Sequence, residues 1–315
     1  MRKTLRLLLK SAGILTIAIG LFLVIVFVVN LISNKSEEGR IEAYGQYVQV
    51  DGKNMNVMIQ GSGEETVVLL PGYGTAAPAL DFKLLMDELA SFYKVVAIEP
   101  FGYGLSDETD KVRSTENIVG EVHEALRQLQ IERYILMGHS IAGIYGLDYA
   151  NKYPNEVSAF VGIDSSVPNQ PGMDVKLPIK TFRFLKQSGL LRLIKKVSGD
   201  PYASLAFDDR TKEQMRLISN KNGNNATTMN EMKNIASNFK GAERLTFPAD
   251  IPVLLFVQAI NPSFEDWVPL HEEQVRSSVH GKVVPLDGEH YLHHTRSKEI
   301  AEGFMAFMKE AQAAR

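Results

Sequence analysis

The sequence contains no cysteine among its 315 residues. This absence excludes disulfide bonds, a thiolate nucleophile, and zinc or iron–sulfur sites held by cysteine. The chain also lacks an excess of basic charge, since 34 lysines and arginines stand against 37 aspartates and glutamates. We therefore expect no nucleic acid partner. The glycine pair Gly102 and Gly104 is too closely spaced for a dinucleotide fingerprint, so no cofactor is predicted.

One long apolar run lies near the N-terminus, where Ser11–Ile32 carries no charge. A helix needs about 20 apolar residues to cross a bilayer, so we predict a membrane anchor within residues 1–34, followed by a linker at 35–43. A cleavable signal peptide would have a shorter run and a small-x-small cleavage site. The positive-inside rule predicts a cytoplasmic N-terminus and an extracytoplasmic main domain, because basic residues precede the run: Arg2, Lys3, Arg6 and Lys10.

Short apolar segments alternate with amphipathic segments from residue 44 onward. Tyr44–Val50 and Met55–Gln60 are joined through Asp51 and Gly52, which predicts an antiparallel hairpin. Continuous apolar runs then predict strands that are covered on both faces, among them Thr66–Leu70, Tyr93–Ile98, Val157–Ile163 and Ile251–Val257, and Lys282–Leu286 is predicted as the last strand. The alternation predicts an α/β fold with a mostly parallel, doubly wound sheet of about eight strands.

Strand signals stop between residues 167 and 248. This stretch has only helix-like segments broken by glycine and proline, at Ile179–Val197, Pro201–Phe207, Thr211–Ser219 and Thr227–Phe239. We predict a helical cap over 167–248, inserted after the sixth strand between two core segments, 44–166 and 249–315. Basic residues in the cap predict a solvated helix face, with membrane-surface contact as the alternative, at Arg192, Lys195 and Lys196.

The segment Gly138-His-Ser-Ile-Ala-Gly143 follows a buried strand and continues into a helix. This pattern is typical of a nucleophile elbow, which exposes the Ser140 hydroxyl above the sheet edge. A serine hydroxyl needs a base that takes its proton and returns it to the leaving group. We predict His290 as this base because it lies in the turn after the last predicted strand. His293 and His294 are the alternatives, although structural hydrogen bonding suits them better.

From about Tyr44 to its C-terminus the chain resembles the α/β-hydrolase fold with a helical cap. The resemblance rests on this elbow and on three further segments: Leu70–Gly74, Pro100–Ser106 and Asp287–Tyr291. With its N-terminal anchor, the chain is similar to membrane-anchored hydrolases of Gram-positive bacteria. The resemblance implies a serine hydrolase that cleaves a carboxylic ester of a small molecule without a metal. A serine at the elbow argues against epoxide-hydrolase or dehalogenase chemistry, for which the resemblance would imply a carboxylate nucleophile.

Position in this fold also implies an oxyanion hole and a pocket. The backbone N–H groups of Tyr73 and Ile141 are the expected oxyanion donors. The Tyr73 ring, Phe101 and Tyr103 are expected to line the mouth of the substrate pocket, and Gly72 is expected to be part of the pocket.

The acid of the triad departs from the common pattern. Most family members place an aspartate after the strand that corresponds to Ile251–Val257, but this chain has Asn261 there. An amide cannot stabilise an imidazolium by charge, so it would cost orders of magnitude in rate. We favour Asp164, at the end of the preceding strand, with Asp266 and then Glu265 as alternatives.

Two other functions stay open on the sequence. An aminopeptidase-like amide hydrolase would need an acidic group in the cap to hold the substrate amine, and Glu213 and Glu231 are available. A non-catalytic receptor on the same fold is the second possibility, because Asn261 stands where most family members have the acid. Substrate identity and oligomeric state are not encoded in any motif, because specificity in this fold depends on the cap.

Overall fold

The computed structural model describes residues 2–174 and 177–314. Its strands are β1 (Gln46–Val50), β2 (Lys53–Gln60), β3 (Thr66–Leu70), β4 (Lys94–Glu99), β5 (Tyr134–His139), β6 (Val157–Ile163), β7 (Val253–Gln258) and β8 (Gly281–Leu286). They form one sheet in the order β1-β2-β4-β3-β5-β6-β7-β8. The pairs β1–β2 and β2–β4 are antiparallel and the other pairs are parallel. The predicted mostly parallel sheet of about eight strands is confirmed.

Helices connect the strands and cover both faces of the sheet. They are α1 (Arg2–Glu38), α2 (Pro78–Asp81), α3 (Lys83–Leu89), α4 (Thr115–Gln128), α5 (Ala142–Lys152), α6 (Ile179–Ser188), α7 (Leu190–Ser198), α8 (Asp209–Asn222), α9 (Ala226–Ala242), α10 (Trp267–Val275), α11 (Leu292–Thr295) and α12 (Ser297–Ala313). Parallel strands need such crossovers, because a short hairpin cannot join them.

The central strands are mostly apolar because helices cover both of their faces. All residues of β3 are buried. On one face, Val68 and Leu136 belong to an apolar layer with side chains of α4 and α5. On the other face, Leu69 and Met137 belong to a layer with side chains of α3 and α12. These two layers fix the strand ends at which the candidate site lies.

Four helices, α6 to α9, lie between β6 and β7 and form the cap. Residues 175 and 176 of the predicted cap range lie outside the described residues. The single helix predicted over Ile179–Val197 is wrong, because Gly189 adopts a left-handed φ of +81° that ends α6 and starts α7. The helix predicted over Pro201–Phe207 is also wrong. That segment forms turns, in which the Asp200 carboxylate accepts the Tyr202 N–H at 3.0 Å and competes with helical bonding.

The N-terminal helix α1 is 37 residues long. Its apolar stretch is exposed, and its length and composition are sufficient to cross a membrane. One face of the helix is partly covered by the cap, at Leu23, Val26, Asn30, Ser33 and Glu37. The exposure distinguishes α1 from the core helices, whose apolar faces are buried.

Candidate active site

The turn between β5 and α5 holds Ser140 in a left-handed conformation with a φ of +54°. The Ser140 carbonyl oxygen accepts hydrogen bonds from the N–H groups of Gly143 at 2.9 Å and Ser166 at 2.7 Å. The turn is tightly packed, because a Cβ at Gly143 would lie 2.2 Å from the Ser166 carbonyl oxygen. This packing explains the small residues around the serine and has the geometry of a nucleophile elbow.

Three predicted residues, Ser140, His290 and Asp164, are linked by hydrogen bonds. The His290 Nε2 atom lies 2.9 Å from Ser140 Oγ, and His290 Nδ1 lies 2.7 Å from Asp164 Oδ2. The Asp164 side chain is fully buried, whereas that of His290 is 47% exposed. In this order the groups can pass a proton from serine to imidazole while the carboxylate orients the ring.

The Asp164 carboxylate is surrounded by donors. Its Oδ1 atom accepts the backbone N–H of Gln258 at 2.9 Å and the indole N–H of Trp267 at 2.7 Å. Together with His290, these donors satisfy a buried carboxylate that would otherwise be costly. The backbone adds a constraint, since Asp164 has a φ of +42°. Nothing in the local sequence marked Gln258 or Trp267 as partners of this acid.

The loop after β7 is built from amides instead of an acid. Asn261 Oδ1 accepts the N–H groups of Ser263 and Phe264, and Asn261 Nδ2 donates to Gln258 Oε1. Asp266, the alternative acid, is the N-cap residue of α10. Within the described residues neither Asp266 nor Glu265 makes a hydrogen bond to His290. The structure therefore brings Asp164, and not the alternatives, to the imidazole.

The loop after β3 lies directly against the serine. A Cβ at Gly72 would lie 2.5 Å from His139 Nδ1 and 3.0 Å from the Ser140 Cβ, so only glycine allows this approach. The backbone N–H groups of Tyr73 and Ile141 donate to no acceptor within the described residues. The Tyr73 hydroxyl donates to the Thr228 carbonyl at 3.2 Å, which ties this loop to the cap. Two free N–H groups on these segments match the requirement of an oxyanion hole.

A cavity of about 570 Å³ opens at Ser140 and His290. Its wall is mostly apolar, from Tyr73, Ile141, Met173, Ile235, Phe239, Pro262, Phe264 and Trp267. Polar groups lie at Ser166, Gln170, Gln258, Asn261, Ser263 and Glu289. A mostly apolar wall with a few polar groups suits a small organic ligand.

Tyr73 lines this cavity as expected, but the prediction is wrong for Gly72, Phe101 and Tyr103, which do not line it. Phe101 is fully buried in the core layer beneath the cap. Tyr103 is 2% exposed, and its hydroxyl donates to the Glu231 carboxylate at 2.7 Å. Gly72 is buried beside Ser140. The glycines at 102 and 104 adopt positive φ values, and the turn they form directs both aromatic rings inward.

His139 hydrogen-bonds the backbone of the loop that carries His290. The His139 Nε2–H group donates to the His290 carbonyl oxygen at 3.1 Å. Burial lowers the pKa of His139 well below its usual value, and the nearby His293 and His290 rings lower it further. A neutral His139 therefore anchors the turn that carries the candidate base.

Behind this turn, Asp81 accepts hydrogen bonds from both neighbouring histidines. The distances are 2.7 Å from His293 Nε2 and 2.8 Å from His294 Nε2. Burial alone would raise the pKa of Asp81, but the two imidazoles more than offset this and lower it. His293 and His294 thus have the structural hydrogen-bonding role that their position suggested. The sequence could not reveal Asp81, because it precedes them by more than 200 residues.

The same three side chains are the group best arranged to hold a metal in the described chain, with ligand atoms within 4.8 Å of one another. Metal-bound histidines almost always donate their second ring N–H to an acceptor. The His293 Nδ1 atom is buried and has no hydrogen-bond partner within the described residues. The arrangement therefore fits a hydrogen-bonded cluster better than a metal centre.

Comparisons with known proteins agree with this architecture. The family model of the alpha/beta hydrolase fold matches residues 65–294, and the chain belongs to this family. The "Uncharacterized protein YbdG" of Bacillus subtilis (strain 168) is 31% identical over 262 residues, which cover 80% of this chain and 79% of that protein. This relative supports the resemblance to proteins of Gram-positive bacteria.

Two solved structures share the fold. Epoxide hydrolase VrEH1 from Vigna radiata superposes with a TM-score of 0.66 at 18% identity, covering 84% of this chain and 97% of that chain. The enol-lactonase from Burkholderia xenovorans LB400 superposes with a TM-score of 0.60 at 18% identity, covering 84% of this chain and all of the other. At this identity the likeness shows the fold, and the chemistry must be argued from the site.

Proposed function

We propose that this protein is a serine hydrolase that cleaves a carboxylic ester through an acyl-enzyme. The observation that carries the proposal is the unbroken hydrogen-bonded chain from Ser140 Oγ through His290 to Asp164. Membership of the hydrolase family supports the general class of reaction.

The reaction begins when Ser140 Oγ attacks the ester carbonyl carbon and His290 Nε2 takes the serine proton. Asp164 holds the ring and stabilises the imidazolium by charge. The carbonyl oxygen becomes an oxyanion, which the N–H groups of Tyr73 and Ile141 stabilise. One such donor is worth about 10²- to 10³-fold in kcat. His290 then protonates the leaving alcohol, and a water attacks the acyl-enzyme with the same base and oxyanion hole.

The nucleophile supports an ester over the chemistry of the epoxide hydrolase neighbour. The elbow carries a serine, whose ester intermediate a base-activated water can hydrolyse. Ring opening of an epoxide is therefore not the reaction that we propose.

The amine-binding acid of an aminopeptidase finds less support. Glu231 is 2% exposed and accepts hydrogen bonds from Tyr103 and Tyr145, each at 2.7 Å. Glu213 pairs with Arg40 at the surface, and neither acid lines the cavity at Ser140. The reason to consider a non-catalytic receptor is the lack of an acid at position 261. This reason weakens because the Asp164 carboxylate hydrogen-bonds His290 instead.

We also propose that α1 is a single-pass anchor in the cell membrane, with the hydrolase domain outside the cytoplasm. The apolar length supports a span, and the basic residues that precede it support this orientation. Protease added to intact cells without a cell wall should reach the domain, and complete protection of the domain would contradict this orientation.

Ser140→Ala tests the enzymatic proposal, with Ser166→Ala as a matched control in the same cavity. The wild type should hydrolyse a short-chain aryl ester and react with a fluorophosphonate probe. Ser140→Ala should lose both properties, with a fall of about 10⁴-fold or more in kcat. Ser166→Ala should keep both, because its hydroxyl makes no hydrogen bond to His290 in the described chain. A wild type that neither turns over an ester nor reacts with the probe would disprove the proposal.

A further inference from the structure

Two cap helices, α6 and α7, differ from the other two cap helices because they have no fully buried residue. Both helices lie wholly within the described residues, and none of their residues is buried. The neighbouring cap helices α8 and α9 each bury a full face. A water-exposed helix without a buried face is expected to be polar, yet α7 reads Leu-Leu-Arg-Leu-Ile-Lys-Lys-Val-Ser.

The apolar face of α7 is partly buried at Leu190 and Leu193 and exposed at its C-terminal half. Leu190, Leu193, Ile194 and Val197 share one side of the helix at the three- and four-residue spacing of an α-helix. Ile194 is 47% exposed and Val197 is 79% exposed. In α6, Phe184 is 53% exposed in the same way. This is the reverse of a helix that packs on a soluble core.

Three basic side chains of the two helices turn inward. Arg192 donates to the side chains of Asn30 and Asn34 on α1, at 3.1 and 2.6 Å. Lys195 Nζ lies 2.8 Å from both the carbonyl and hydroxyl oxygens of Ser219 in α8. Lys186 donates to the carbonyl oxygens at the end of α8. The polar bonds face the protein while the hydrocarbon faces outward, an arrangement that is favourable in lipid and unfavourable in water.

The contact with α1 sets the depth of this hairpin. A Cβ at Gly189 would lie 2.6 Å from the Asn30 Cβ and 3.0 Å from the Val26 carbonyl oxygen. Val26 precedes Ile32, where the apolar run ends, by six residues, which is about 9 Å along a helix axis. The turn between α6 and α7 therefore lies beside the apolar part of α1. Amphipathic helices at a membrane interface sit about 5–10 Å deep, which matches this offset.

The two helices also carry exposed basic side chains. Lys180, Arg183 and Lys196 are exposed on these two helices. Such groups are attracted to anionic phosphate headgroups, whereas a protein partner would need no such combination of depth and charge.

We propose that the α6–α7 hairpin, residues 179–198, inserts into the outer leaflet of the bilayer that α1 crosses. The hairpin then holds the cap against the membrane surface. This inference rests on the proposed membrane span of α1, and its occupant is lipid and not a second protein.

The absence of cysteine allows single-site labelling of the full-length chain. Val197→Cys reports on the hairpin, and Ile194→Cys gives a second reading there. Val279→Cys is the matched control, since this valine is 71% exposed on the hydrolase core. Val24→Cys, at a position that is 59% exposed in α1, reports on the span itself. Each variant carries an environment-sensitive nitrobenzoxadiazole label and is reconstituted in phosphatidylcholine–phosphatidylglycerol vesicles, with or without lipids spin-labelled on the acyl chain.

The labels at 24, 194 and 197 should be quenched by the spin-labelled lipids several-fold more strongly than the label at 279. Quenching at 194 and 197 as weak as at 279, with strong quenching at 24, would overturn the hairpin proposal and leave the anchor intact. A blue-shifted but unquenched label at 197 would indicate a protein partner and would also overturn it. Weak quenching at 24 would instead contradict the proposed span.

Discussion

The ends of β6 and β7 lie side by side at the candidate site, but they supply different chemistry. β6 ends at Asp164, which bonds the imidazole of His290. β7 ends at Gln258, whose backbone N–H donates to Asp164, and its loop carries Asn261 in place of an acid. Parallel neighbours end at the same edge of a sheet, so either strand can deliver a carboxylate to the same ring. The acid of such a site can therefore come from either strand end, provided that its carboxylate reaches the imidazole.

The difference also has an electrostatic reason. A carboxylate after β6 is fully buried and needs several donors, which the β7 end and α10 supply through Gln258 and Trp267. Asn261 satisfies the backbone N–H groups of its own turn, and its amide bonds the side chain of Gln258. The end of β7 and its loop therefore support the candidate acid and do not supply it.

The largest expected effect comes from removing the charge at the end of β6. Asp164→Asn should lower kcat on an aryl ester by about 10⁴-fold, because an amide stabilises the wrong tautomer of the imidazole and not the imidazolium. Asp266→Asn is the control beyond the end of β7 and should keep nearly full activity. Steady-state kinetics of the two variants on one ester decide between the strands, and the reverse order of activities would assign the acid to the β7 loop.

The support given to Asp164 is tested by Trp267→Phe. This change keeps an aromatic ring against Phe264 but removes the indole N–H donor at 2.7 Å from Asp164. A hydrogen bond to a charged group contributes about 1.5–3 kcal/mol, so we expect a fall in kcat of about 10-fold or more. An unchanged rate, measured on a variant with the wild-type melting temperature, would show that the Trp267 N–H is not needed to position Asp164 and that the Gln258 N–H is sufficient.

His139, at the end of β5, hydrogen-bonds the backbone of the turn that carries His290. We expect this histidine to make the stability of the protein depend on pH. The pKa of His139 is lowered in the folded state by burial and by His293 and His290, with Asp81 acting in the opposite direction. Below the usual histidine pKa of about 6.5, the unfolded chain binds a proton that the folded chain does not. The free energy of unfolding should therefore fall as the pH decreases from 7 to 5, by at most about 1.4 kcal/mol per pH unit for this group.

His139→Asn should reduce that pH slope by up to about one proton. Urea unfolding, followed by the fluorescence of the single tryptophan Trp267, measures the slope in wild type and variant. Equal slopes in the two proteins would mean that His139 is not the group that titrates on unfolding.

The smallest effect is expected from Asn261→Asp, which restores the common residue after β7. The side chain at this position bonds Gln258 and the backbone of its own turn, so a carboxylate there should change kcat less than about twofold. The same substitution in the Asp164→Asn background should not restore activity. A clear rescue would show that the β7 loop can still deliver the acid.

Local pattern was sufficient for much of the fold and part of the site. Ser140 and His290 were located because a strand-turn-helix segment and a final strand are marked by adjacent residues. Asp164 was recognised as the end of an apolar run, but its donors were not, since Trp267 lies about 100 residues away. The inward turn of Phe101 and Tyr103 depends on tertiary packing, so a motif rich in glycine and aromatic residues could not predict it.

The hydrogen bond between His290 Nδ1 and Asp164 Oδ2 is the most direct test of the central claim, because its proton can be observed by NMR. Protein with ¹⁵N-labelled histidine should show a far-downfield Nδ1 proton that is assigned by its loss in His290→Gln. We expect the signal to persist in Asp266→Asn and to disappear or move upfield in Asp164→Asn. A signal that survives in Asp164→Asn and is lost in Asp266→Asn would contradict the triad proposed for this protein.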